Sequence, residues 1–175
     1  ALAQALDAAG ADPALRSTAR ERVATLAPTA RHECELGLAL WHCNRFDHAN
    51  DAFRRAMQRD PAYLPARLAA FQYPRDVVFA DSAAVDGFRM AWLEGLAALE
   101  TQVASDIGTP ADALAAATLC TNFTFHYSTD DVRPAQQRYA RVIERLVRAS
   151  VAEHAVAESP AADGRARVAV FSAHL

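Results

Sequence analysis

The sequence predicts an all-α chain, and three observations carry that expectation. Alanine supplies about a quarter of the 175 residues, and all 18 lysine-plus-arginine positions are arginine; both types hold helical backbone well. Apolar residues recur at spacings of three and four through much of the chain, the period of a helix with one buried face. Prolines and capping residues punctuate these stretches, most clearly at Pro28 and Pro61.

Taken in order, residues 1–9 read as a short helix closed by Gly10. "DPALRSTARERVATLAP" reads as the next, with Asp12 as N-cap, Pro13 in its first turn and Pro28 beyond its end. A third helix is expected from about Ala30 to Asn44, and a fourth from about Asp47 to Arg59, with Asp47 as its cap and Asp60-Pro61 as its stop. "AYLPARLAAFQYP" gives one more, ended before Pro74, and "RDVVFADSAAVDG" a connection. A long helix follows from Ser82 to Ser105, with Phe88, Trp92, Leu96, Leu99 and Val103 as one buried stripe. Thr109, Pro110 and Asp112 start the next, the threonine capping and the acid answering it three residues on. Pro134 opens a last long helix, with Tyr139, Val142, Ile143, Leu146 and Val147 on one side. Residues 154–166 are small, polar and broken by proline and glycine, as in a linker. "RVAVFS" at 167–172 alternates like a strand. A lone strand needs partners, so it is expected to open a second, β-containing domain that is truncated here.

Composition excludes several classes of function. A net charge of −3 with dispersed arginines lacks the basic patch of nucleic-acid binding. No apolar run reaches the roughly 20 residues that span a bilayer, and no signal-peptide pattern is present. The expected setting is cytoplasmic, without nucleic-acid or membrane partners. Three cysteines, Cys34, Cys43 and Cys120, give no disulfide framework. Cys34 and Cys43 are nine residues apart, about 13 Å along a helix and half a turn out of phase. They cannot share a zinc ion, and no metal site is expected. No glycine-rich phosphate loop is present. His126 beside Tyr127 reads as a loop histidine packed among aromatics, and no catalytic residue is assigned.

Pro28 and Pro61 lie 33 residues apart, each closing a pair of helices. Between them Leu36, Gly37, Leu40, Ala49, Phe53, Ala56 and Pro61 fall in the order of a tetratricopeptide unit, a two-helix repeat of 34 residues. Gly37 and Ala49 allow close helix approach, Leu40 and Phe53 fill the space between, Ala56 receives the next unit, and Pro61 turns the chain. Glu33 departs from the pattern, standing where the unit carries a large aromatic. The expected organisation is tetratricopeptide-type superhelix over 1–73 (30–63 the clear repeat), helical connection over 74–153, linker over 154–166, and strand over 167–175. In such a unit the first helix lines a concave groove, so Arg31, Glu35, Leu38 and His42, spaced 4, 3 and 4, are expected to face a partner protein.

Further along, "FQYPRDVVFADSAAVDGFRMAWLEGLAALE" precedes "NFTFHYSTDDVRPAQQRYARVIERLV" and then "RVAVFS". This order resembles the region joining repeats to the catalytic half in bacterial O-linked N-acetylglucosamine transferases of the SPINDLY type. The matching positions are Phe125-His126-Tyr127, Arg138-Tyr139 and the strand Arg167 to Ser172. The resemblance implies that the strand opens an α/β (GT-B, Rossmann-like) half. The chain would then be the protein-recognition region of a protein O-glycosyltransferase, with acceptor proteins as partners. It would hold no cofactor itself, while the full-length protein would use a nucleotide-sugar donor such as UDP-GlcNAc. The contrasting expectation is a non-enzymatic tetratricopeptide adaptor.

Overall fold

The computed structural model describes residues 5, 9–76, 78–119, 125 and 131–151. Among them are seven α-helices and no strand: α1 Pro13–Leu26, α2 Ala30–His42, α3 Phe46–Arg59, α4 Leu64–Gln72, α5 Ser82–Ser105, α6 Pro110–Ala117 and α7 Arg133–Ser150. The expected N-terminal helix falls mainly outside the described residues, as do His126, Tyr127, Cys120, the linker and the strand over 167–172. Gly10, expected to close that first helix, has φ +63°, a left-handed backbone that glycine adopts without strain.

The starts follow local chemistry. Asp12 accepts from the Ala14 amide at 2.8 Å and Asp81 from the Ala84 amide at 2.8 Å. Thr109 Oγ1 accepts from the Asp112 amide at 3.1 Å and donates to the Asp112 carboxylate at 2.7 Å. Each cap satisfies an amide that the helix leaves unpaired. One cap is corrected. Asp47 does not cap α3; Arg45 stands at that position without a side-chain bond, and Asp47 instead pairs with Arg75 at 3.1 Å. The cause lies in the preceding turn, where Asn44 takes φ +58° and α2 ends at His42, earlier than Asn44. The chain therefore re-enters helix at Phe46, whose ring sits 5.6 Å from that of Trp41.

The helices enclose two cores. The first holds Cys34, Leu36, Leu40, Ala49, Ala52, Phe53, Ala56, Ala66, Ala69 and Tyr73. Gly37 makes its packing possible, because a Cβ there would lie 2.4 Å from the Phe53 ring. Pro61 is exposed in the turn after α3. The second core gathers Leu64, Leu68, Trp92, Leu96, Leu99, Val103, Ala113, Ala116, Phe125, Tyr139, Val142 and Leu146. Phe125 stacks on Trp92 at 3.9 Å. The α5 stripe is buried as expected, with Phe88 partly so. On α7 the expected side holds except for Val147, which is 40% exposed. Helix α4 belongs to both cores, with Leu64 and Leu68 in one and Ala66 and Ala69 in the other.

Candidate functional site

Arg31, Glu35, Leu38 and His42 share about 60° of the circumference of α2 at 100° per residue. That strip separates two clefts. The first, about 170 Å³, is lined by Pro13, Arg16 and Arg20 of α1 and by Glu35, Leu38, Ala39 and His42 of α2. The second, about 380 Å³, sets Arg31, Cys34, Glu35 and Leu38 against Tyr63 and Pro65 at the start of α4 and Ala111, Asp112 and Ala115 of α6. Glu35 and Leu38 border both. Arg31 opens only to the second and His42 only to the first. All four expected groove residues therefore face cleft space.

Electrostatics divide the two clefts. Glu35 is held from either side, accepting from Arg20 across α1 and from Arg31 Nε at 3.0 Å. The bond to Glu35 raises the Arg31 pKa above its ordinary value. In the second cleft, burial pushes the Tyr63 phenol up, and the neighbouring Cys34, Asp112 and Glu35 add to that against Arg31. Burial, then the charge of Glu35, pushes the Cys34 thiol up to about 12. The thiolate is the reactive form, so Cys34 is an inert part of the wall. No group of three metal-ligating side chains occurs among the described residues.

Behind this face, Glu33 is 4% exposed and sits between Arg55 Nε at 3.0 Å and Arg59 Nε at 3.4 Å. The charge at the position of an expected aromatic is thus buried but paired, as a buried carboxylate requires. Toward the other end, Arg138 donates to both oxygens of Glu100, from Nη2 at 2.6 Å and from Nε at 3.0 Å, while its neighbour Tyr139 lies 6.0 Å from the Trp92 ring. The Arg138-Tyr139 pair singled out in the sequence therefore ties α7 to α5 and lines neither cleft.

The chain matches no family model, no curated protein and no solved structure. No helix among the described residues is long and apolar enough to cross a membrane. The α1 and α6 walls, with Arg16, Arg20 and Asp112, escaped the sequence reading. They reach the groove through tertiary packing, and only a helix-packing register could have announced them.

Proposed function

We propose that this chain is a protein-recognition module that binds an extended peptide segment along the α2 face. One observation carries the reading: Arg31, Glu35, Leu38 and His42 run as a strip between two open clefts whose walls come from α1, α4 and α6. Mixed polar and apolar lining suits a peptide, which offers backbone bonding groups and alternating side chains. The tetratricopeptide form of the module is supported by the α2–α3 hairpin and by α4 packing on it, with Ala56, Ala66 and Ala69 fully buried at the junction. The sequence order quoted above supports its place beside the sugar-transfer half of a protein O-glycosyltransferase. In this reading a nucleotide sugar such as UDP-GlcNAc is bound elsewhere, and the module presents acceptor proteins. A cytoplasmic setting accords with Cys34 and Cys43, both free thiols.

The test is a selection of random twelve-residue peptides displayed on phage, followed by hydrogen exchange of the chain with a selected peptide. Protection should concentrate on α2 and the facing turns of α1 and α6, and Leu38→Asp should abolish capture. Peptides that protect the Arg55–Arg59 face instead, or no enrichment over repeated rounds, would sink the reading. The transferase context is tested in a protein carrying this chain with a transfer domain. Leu38→Asp should remove transfer to protein acceptors and leave hydrolysis of the sugar nucleotide intact.

A further inference from the structure

The first cleft is unbalanced in charge. Its ionisable lining is Arg16, Arg20, Glu35 and His42. Among the described residues Glu35 is the one carboxylate in that lining, and it is already held by Arg20 and Arg31. The Arg16 side chain has no ion pair or hydrogen bond among the described residues, and its Nε is buried without an acceptor. Arg16 is only partly buried and lines the cleft, so a ligand carboxylate would meet the rest of the guanidinium, whose charge has no counter-ion among the described residues. The planar fork of arginine matches a carboxylate best, with two parallel N–H bonds.

We propose that this cleft is the specificity pocket of the peptide groove and receives an acidic side chain, aspartate or glutamate, on Arg16. The inference rests on the peptide-docking reading above. His42 and Leu38 line the same pocket, and Leu38 also borders the second cleft. At the far end of the strip the second cleft presents Asp112, engaged by the Thr109 hydroxyl. An acidic residue is therefore favoured at the α1 end and disfavoured at the α6 end, which sets the direction in which a peptide lies.

The experiment compares peptide selections on the wild-type chain and on Arg16→Gln. The Arg16 side chain makes no ion pair or hydrogen bond among the described residues, and circular dichroism with a thermal melt verifies that the variant is folded. Wild-type selections should be enriched in Asp or Glu at one position. A selected peptide should bind about tenfold more weakly after its acid is changed to the amide, the low end for close charge pairs across an interface. Arg16→Gln should bind the acid and amide peptides equally, and Arg16→Lys should restore part of the difference. Peptides that dock on α2 without acidic enrichment, or whose acid preference survives in Arg16→Gln, would overturn the pocket and leave the groove standing. A failure to select any α2-binding peptide removes both.

Discussion

The two cores on either side of α4 are built from different material. Around α2 and α3 the buried positions are mostly small: Ala49, Ala52, Ala56, Ala66 and Ala69, with Phe53 as a large ring seated over Gly37. Around α5 and α7 they are large: Trp92, Leu96, Leu99, Phe125, Tyr139 and Leu146. Small residues bring helix backbones together, so the first core is intolerant of added atoms. Large residues fill volume, so the second is intolerant of lost ones. The groove lies on the first kind, where close helices leave narrow, well-defined clefts.

The comparison breaks most severely by deletion in the second core. Trp92 is 1% exposed, faces Phe71 edge-on at 5.6 Å, and donates to Gln72 at 3.3 Å. Trp92→Ala should cost about 3–5 kcal/mol in urea denaturation, the range for emptying an aromatic site. A cost below about 1 kcal/mol would show that this core collapses around the void.

Addition comes next, and it sharpens the contrast between two glycines. A Cβ at Gly95 would lie 2.5 Å from both Cβ and Cγ of Phe71, atoms tied closely to the α4 backbone. At Gly37 the clash is with the outer ring atoms of Phe53, which can swing. Both lose part of the roughly 1 kcal/mol that alanine gains over glycine in a helix. Gly95→Ala should be destabilising by about 1–3 kcal/mol, as overpacking usually is. Gly37→Ala should cost less, and Phe53→Leu in the same chain should recover most of that loss. Equal costs at both sites would show that helix shifts, not ring motions, absorb the strain.

Glu33 tests the charge in the small-residue core. Glu33→Gln keeps the shape and removes the ion pairs to half-exposed Arg55 and Arg59, so the loss should be about 1–2 kcal/mol, the scale of a charged hydrogen bond. Unchanged stability would mean that the arginines stay solvated.

The smallest effect is read chemically. With Cys43 and Cys120 changed to serine, Cys34 should resist iodoacetamide at pH 8 in the folded chain and react in urea. An unfolded thiol ionises near about 8.5, and folding raises Cys34 to about 12. Its contribution to stability is thus complete below the lower value and lost as pH rises toward the higher one. Rapid labelling of the folded chain at pH 8 would contradict the buried placement.

Much of this was legible in the residues themselves. Ser82–Ser105 carries a stripe at spacings of three and four, and the helix runs where that stripe places it. Gly37 and Phe53 could be placed in one two-helix unit because such a unit has a short, fixed spacing; that the ring seats over Gly37 itself is seen only in the structure. Glu33 could not be placed, since its partners on α3 lie 22 and 26 residues ahead, and a charge there reads by default as exposed. Arg16 escaped for a related cause. Nothing in a sequence marks which arginine will lack a counter-ion once the helices meet.

Helix α4 is nine residues long and has no side to spare. Its start, at Tyr63 and Pro65, borders the second cleft, while its leucines key into the tryptophan-centred packing. Any guest that presses on Tyr63 pushes on a lever whose far arm rests among Trp92 and Leu96. A fragment ending after α4 would carry two leucines with nothing to close over them.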